Sequence, residues 1–317
     1  MSVRGLSKQK KQPPRRERCV LGIDVGGTNI RAGLVSLRAG LIRHAHATLT
    51  EASGGGRHSL ARVVALASQV VEEGKADGLS VSKVGIGVPE LVGIDGQIDS
   101  TCSLPWRSSD VRARLRAYGE VTIASDVRAA ALAEARLGAG RGEPAFFYIS
   151  LGTGLSCTLV VDGKPYAGTH GHAISFANGT TCATSSVDGK VTLECLEDRA
   201  SGLGLVRRAR AVGLTAPDAL VLCRAALQEP GIARDIVDAA ANELAIHVAI
   251  MANALDPGLI ILGGGLGCAP GRYWSTFRSA LPRHTWGPYA HKLRVRRAAL
   301  GTRAGVIGAA LSAVDRP

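Results

Sequence analysis

At 317 residues, 46% hydrophobic and 4% aromatic, the chain suits two modest α/β lobes better than one core, since single cores rarely outgrow ~250–300 residues. It has no apolar run near the ~20 residues of a membrane span and no apolar leader followed by a small-residue cleavage site, so a cytoplasmic protein without a membrane partner is expected. Its net charge of +12 suggests nucleic acid at first sight, but half of it lies in residues 1–18, where Arg4, Lys8, Lys10, Lys11, Arg15, Arg16 and Arg18 face only Glu17.

With Pro13, Pro14 and few apolar residues, that segment reads as a solvated, disordered tail rather than a nucleic-acid arm. The remaining charge fits a protein that handles an anionic nucleotide. Residues 19–36 run strand, turn, strand, with Val25-Gly26-Gly27-Thr28-Asn29 at the bend, the pattern of a β-hairpin. Residues 58–77 carry Leu60, Val63, Val64, Leu66, Ala67, Val70 and Val71 at helical spacing. Residues 83–88 read as a strand ending at Pro89, 111–118 as a helix, 120–124 as a short strand, and 127–137 as an Ala-rich helix directly after Ser125-Asp126.

The unit then recurs. Residues 145–151 form an apolar strand, Gly152-Thr153-Gly154 a turn, and 155–161 a second strand; a repeated supersecondary unit bears on any fold assignment. Residues 179–190, rich in Gly, Ser and Thr, read as an exposed loop. A helix over 234–255 precedes a strand over 259–262 that runs into Gly263-Gly264-Gly265, and a small-residue helix is expected over 301–314. The seven cysteines, Cys19, Cys102, Cys157, Cys182, Cys195, Cys223 and Cys268, form no CxxC pair, so reduced thiols are expected rather than a disulfide framework.

Four places have residue types suited to phosphoryl transfer. Asp24 stands beside Gly26, Gly27, Thr28 and Asn29: glycines let backbone N–H groups approach phosphate oxygens, and a carboxylate holds Mg²⁺ directly or through water. An ordinary tight turn explains this motif alone equally well. Gly152-Thr153-Gly154 repeats the chemistry, and two such bends facing each other would hold a triphosphate from both sides. Gly263-Gly264-Gly265 offers flat backbone for an adenine ring, or simply joins a strand to a helix. Asp126, at a strand–helix junction, is placed either to cap the helix or to accept the proton of a hydroxyl under attack.

In this order, the motifs resemble the ROK family (repressors, open reading frames and sugar kinases) over about residues 19–314. Leu21-Gly22-Ile23-Asp24-Val25-Gly26-Gly27-Thr28 is similar to its first phosphate motif, Leu151-Gly152-Thr153-Gly154 to its second, and Asp256-Pro257 through Gly265 to its adenosine motif. Ile123-Ala124-Ser125-Asp126-Val127-Arg128-Ala129-Ala130-Ala131 resembles the family's Asn-Asp-Ala-Asn-Ala-Ala-Ala stretch, whose Asp is the base. Cys195-Leu196-Glu197-Asp198-Arg199-Ala200-Ser201-Gly202 resembles a stretch whose Glu binds sugar hydroxyls.

The resemblance implies a two-lobed α/β fold of the actin/hexokinase-like (ribonuclease H-like) ATPase type, with a cleft between an N-terminal lobe over 19–126 and a C-terminal lobe over 127–300. The helix at 301–314 would pack on the first lobe. It implies ATP and Mg²⁺ as cofactors and a hexose or aminohexose phosphorylated at its 6-hydroxyl, with Asp126 as base and Asp24 positioning the metal. Glu90, Ser103, Ser125, Ser175 and Glu197 would line the sugar pocket. A homodimer is implied too.

Departures from the family pattern shape two further expectations. Ile174-Ser175-Phe176-Ala177-Asn178 stands where the family has Gly-Glu-Ile-Gly-His, with His170 and His172 out of register. The first cysteines of its zinc loop would fall at Asp188 and Lys190. Cys182 is the candidate substitute thiol, but four N/S ligands are wanted, so no zinc site is expected. Ser103 and Ser125 replace Asn, and Glu90 follows Pro89 where Gly is usual. An extra carboxylate would suit an amino group, as in kanosamine kinases, unless Glu90 and the serines are simple drift. The rival readings are a sugar-sensing DNA-binding regulator, for which the stretch before the first motif is too short for a winged helix, and a sugar-binding protein without chemistry, against which Asp24, Asp126 and both turns argue.

Overall fold

The computed structural model describes residues 17–36, 41–184, 191–228, 230–288 and 292–315. The basic tail up to residue 16, positions 188 and 190 of the zinc-loop comparison and the Cys182 side chain lie outside the described residues.

The first sheet is built from β1 (Glu17–Val25), β2 (Asn29–Ser36), β3 (Leu41–Leu49), β4 (Leu79–Val88) and β5 (Glu120–Ser125), in the order β3-β2-β1-β4-β5. The β1–β2–β3 meander is antiparallel, whereas β4 and β5 join in parallel. β1 starts inside the stretch expected as tail, with Glu17 opposite Leu79 and its Oε1 accepting the Ser36 hydroxyl at 2.6 Å. The apolar run of β1 is buried on both faces, as a central strand must be. Helix α1 (Gly56–Ala76) covers one face with Leu60, Val63, Ala67, Val70 and Val71. Helix α2 (Ser108–Leu115) adds Val111 and Leu115 to the same core.

Helix α3 (Asp126–Leu137) leads to a second five-stranded sheet of β6 (Ala145–Leu151), β7 (Leu155–Val161), β8 (Lys164–Pro165), β11 (Leu259–Gly263) and β12 (Arg294–Arg297). Its order is β12-β11-β6-β7-β8, again a central antiparallel hairpin with parallel strands on one side. The duplication legible in the sequence is thus realised as two sheets of one design. The stretch 179–184, expected as loop, instead forms β9 (Thr180–Thr184), antiparallel to β10 (Val191–Cys195). Its Thr-Thr-Cys-Ala-Thr run has the β-branched residues that pleated backbone accepts.

After β10 come α4 (Leu196–Ala200), α5 (Gly202–Ala211), α6 (Ala219–Gln228), α7 (Ile232–Leu255), α8 (Gly264–Cys268), α9 (Arg272–His284) and α10 (Ala304–Ser312). Phe147, Ile149 and Leu151 of β6 pack with Leu244 and Val248 of α7 and Phe277 of α9. On the opposite face, Phe146 and Tyr148 pack with Val127 and Ala131 of α3 and Ile307 of α10.

Helix α10 lies on the other face of the first sheet and crosses α3. Its Gly- and Ala-rich sequence permits this approach: a Cβ on Gly22 or Gly85 would strike the carbonyls of Val306 and Ala309, and one on Gly308 that of Ala129. Fully buried Glu134 ties α3 to the segment before α10 by accepting N–H bonds from Ala139, Ala299 and Leu300 at 2.7, 3.0 and 2.8 Å. The two crossed helices therefore carry Asp126 and Gly305, near their N-termini, toward the end of β1.

Candidate active site

The β1–β2 bend brings backbone and side chains together around Gly26. Gly26 N–H donates to Asn29 O at 2.8 Å, closing the turn. Thr50, wholly buried just after β3, braces it by donating its hydroxyl to Gly26 O at 2.6 Å and its N–H to Thr28 O at 2.9 Å. The β6–β7 bend closes through Gly152 N–H to Gly154 O at 3.0 Å. It is held from behind by the start of α5, where Gly202 and Leu203 donate to the carbonyls of Gly152 and Thr153 at 2.9 and 3.1 Å.

The two bends meet. Thr28 Oγ1 and Thr153 Oγ1 are 2.9 Å apart, and both residues are otherwise exposed. A Cβ placed on Gly152 would lie 3.8 Å from Gly265 N, so the third glycine element adjoins the second bend. Gly263 ends β11, and Gly264 and Gly265 begin α8 rather than a loop. Gly264 has φ 78°, which favours glycine. Nothing lies within 4 Å of a Cβ built on Gly265, leaving open backbone there.

Asp24 and Asp126 stand beside these bends. Asp24 is one pleat before the first turn and directly opposite Arg31 on β2, whose Nη1 is 4.0 Å from Asp24 Oδ2. Paired residues on antiparallel strands share a face, which is why the guanidinium and carboxylate meet. Burial pushes Asp24 from its ordinary 3.8 up to about 6, and Arg31 offsets part of that. A Cβ on Gly305 would run into the Asp24 carboxyl group, so the α10 glycine is required where it is.

Asp126 heads α3, with its Cα 3.3 Å from a Cβ built on Gly87 at the end of β4. Its Oδ1 accepts the N–H of the next residue, Val127, at 2.6 Å; Asp126 is the first residue of the helix and not its N-cap, which is Ser125. The N–H of Asp126 itself also favours the ionised carboxylate, and among the described residues no side chain hydrogen-bonds to it. Burial chiefly, then the negative charge of Asp24 and to a lesser extent that of Glu90, push Asp126 up to about 7, against the pull of the Val127 N–H.

Glu197, on α4, accepts the Leu155 N–H at 2.7 Å on Oε2, which also lies 2.8 Å from a Cβ built on Gly154. Its Oε1 accepts the Asn178 amide at 3.0 Å. Ser175 is exposed, and its carbonyl accepts the Asn178 N–H at 3.1 Å, which folds the segment toward Glu197. Ser103 is exposed, but Ser125 is wholly buried with its Oγ unpartnered, so it presents no open surface. Glu90 is 4% exposed and turns its carboxylate into the segment 100–104, not outward.

Several residues at the site were not read from the sequence. Arg31 is legible only once the β1–β2 register is known. Arg128, the third residue of the Ala-rich helix α3, donates to Gly171 O and Val92 O at 2.6 and 2.7 Å, binding the segment before Ser175 to the segment after Glu90. His172 Nε2 meets Asp99 Oδ2 at 2.8 Å along the same seam. Arg128 and the out-of-register His172 were visible signals without a visible partner.

The Asp24 carboxylate, with that of Asp126 near enough to feel its charge, is of the oxygen type that suits a hard cation keeping most of its waters, as Mg²⁺ does. Among the described residues no group of three or more His, Cys, Asp or Glu side chains is arranged to hold a metal ion. Asn178, in the position compared with the family's histidine, is a hydrogen-bond partner of Glu197.

Two like sheets closing their glycine hairpins on each other, with crossed helices bringing a carboxylate to the seam, define the actin/hexokinase-like fold. The chain belongs to the ROK family, whose model matches residues 20–316. It is 30% identical over 314 residues to a glucokinase of Streptomyces coelicolor, covering 92% of this chain and 96% of that one. It is also 30% identical over 256 residues to a kanosamine kinase of Amycolatopsis mediterranei, covering 77% and 80% of the two chains. A solved ROK family glucokinase from Streptomyces griseus, in complex with glucose and AMPPNP, superposes with a TM-score of 0.78 at 26% identity, covering 93% of this chain and 99% of the other.

Proposed function

We propose that the protein is an ATP-dependent sugar kinase that transfers the γ-phosphoryl group to a hexose or aminohexose, at the 6-hydroxyl. The observation that carries this reading is Asp126: a part-buried carboxylate beside the end of β4, raised to about 7 by burial and by the charge of Asp24, which lies near the end of the strand leading into the Thr28 bend. Similarity to a glucokinase and a kanosamine kinase supports the substrate class.

In this reading the N–H groups and hydroxyls of Gly26, Gly27, Thr28 and Asn29 and of Gly152, Thr153 and Gly154 grip the phosphates, with adenine against Gly263, Gly264 and Gly265. Asp24 would hold Mg²⁺, directly or through water, and the ion would supply neutralisation of the phosphate charge. Asp126 accepts the hydroxyl proton on Oδ2 as the phosphoryl group departs, while its Oδ1 stays fixed by the Val127 N–H. The Val127 bond orients the base. Glu197, held by Leu155 and Asn178, orients sugar hydroxyls, and Ser103 and Ser175 supply short donors and acceptors at the exposed rim. Closure of the two lobes about the substrates would exclude water, which limits hydrolysis of ATP.

The expected ammonium partner of an aminohexose, Glu90, has both oxygens engaged by its own chain. Neutral hexoses are therefore the first candidates. A panel of glucose, glucosamine, N-acetylmannosamine and kanosamine with ATP, followed by ADP release and by the position of the phosphate in the product, tests the reading. Sugar-dependent ADP release with a 6-phosphate product supports it, and no release with any sugar contradicts it.

A further inference from the structure

Glu90 lies just past Pro89, where the chain leaves β4 for the long connection to α2. A carboxylate that is 4% exposed needs partners, yet no Lys, Arg or His among the described residues pairs with it. Its partners are all in one short segment. Oε1 accepts the N–H groups of Ser103 and Leu104 at 2.6 and 2.7 Å. Oε2 accepts the Cys102 N–H at 2.9 Å and the Ser100 hydroxyl, which in turn accepts the Leu91 N–H at 2.9 Å.

Three successive N–H groups turned to one point make an anion-binding concavity, and here the chain fills it with its own side chain. Without the carboxylate, the backbone of 102–104 would turn three donors toward a space with no acceptor, and the Leu104 N–H among them is buried. The far side of the segment is anchored independently: Leu104 and Trp106 are buried, and Trp106 Nε1 donates to Gly56 O at 2.9 Å. Loss of the carboxylate should thus release the front of the loop while its back remains fixed.

We propose that Glu90 is a positioning residue, an internal anion that shapes the 100–104 loop and so sets where Ser103 faces the sugar, and not itself a sugar contact. The kinetic part of this inference rests on the sugar-kinase reading; the loop-shaping part does not. To act as an ammonium ligand, Glu90 would have to surrender at least one bond to the loop. The geometry instead predicts that a small carboxylate anion replaces it when the side chain is removed.

The test uses the full chain, Glu90→Gln and Glu90→Ala, with and without sodium formate and with sodium chloride at equal ionic strength as control. Amide exchange at 102–104, read without any sugar, should accelerate about tenfold or more in both variants, and formate should slow it again in Glu90→Ala. The KM for sugar should rise about tenfold while the KM for ATP stays within about twofold, and formate should recover most of the loss in Glu90→Ala. Unchanged exchange at 102–104 overturns the loop-shaping role whatever the activity. Altered exchange with an unchanged KM for sugar overturns the link to specificity. Selective loss of amino-sugar turnover with normal turnover of neutral hexoses overturns the assignment in favour of direct contact. A wild-type chain that turns over no sugar defeats the kinase reading instead and with it the kinetic part, while the exchange data still decide the loop.

Discussion

Thr28 and Thr153, 125 positions apart in the chain, share a hydrogen bond of 2.9 Å between the two glycine bends. Each bend is braced from its own side, the first by Thr50 and the second by the start of α5, so the contact reports the closure of one sheet's hairpin on the other's. If both hydroxyls grip the nucleotide, replacing either by Ala should raise the KM for ATP about three- to tenfold, the worth of one hydrogen bond. Because they share a partner, Thr28→Ala with Thr153→Ala should cost less than the product of the single effects. Steady-state kinetics on the four proteins checks this, and simple multiplication would show that the hydroxyls act apart.

A second prediction concerns pH. Burial holds Asp126 at about 7 and Asp24 at about 6, both above their ordinary 3.8. A carboxyl group whose folded value is raised binds its proton more tightly in the fold. Its contribution is fully present below about 3.8 and is lost as pH rises through about 6 to 7. For Asp126 the loss by pH 8 is at most ~4 kcal/mol, at ~1.4 kcal/mol per unit, and the neighbouring Asp24 shares in it. Without nucleotide and metal, Asp126→Asn should therefore have a higher Tm than wild type at pH 8, with the gap closing toward pH 4. Melting curves across that range decide it, and a gap independent of pH would contradict the placement of Asp126.

The two glycines of α10 should fail differently. A side chain on Gly305 enters the space of the Asp24 carboxyl group, whereas one on Gly308 meets the Ala129 carbonyl where α10 crosses α3. Gly308→Ala should cost about 1–3 kcal/mol of stability through overpacking. Gly305→Ala should instead lower kcat and raise the Mg²⁺ concentration needed for half-maximal rate, with a smaller loss of stability. Denaturant melts paired with Mg²⁺ titrations of activity separate the two, and equal effects in both assays would refute the distinction.

What could be read from the sequence was chemistry carried by contiguous residues. Asp24 with its Gly-Gly-Thr bend, Gly152-Thr153-Gly154 and Asp126 before an Ala-rich helix all declare themselves locally, and the recurrence of strand, bend and strand announced the two like sheets. Partners set by tertiary register could not be read this way. Arg31 acquires meaning only opposite Asp24, and Glu90 only when the chain folds back to bring 102–104 onto it. β3, which puts His44 and His46 on its less exposed positions and leaves Leu49 exposed, has a weak apolar alternation and passed without assignment. β12 is four residues, three of them Arg, and its pairing with β11 is a property of the sheet and not of its own composition.

The most direct test of the account is the turnover of Asp126→Asn alongside its sugar affinity by calorimetry. The amide keeps the shape and the bond to Val127 N–H but cannot take a proton at Oδ2. Sugar affinity should stay within a few-fold of wild type while kcat falls by about 10²–10⁴, the usual contribution of a positioned base. A variant that binds sugar and turns over at near the wild-type rate would contradict it.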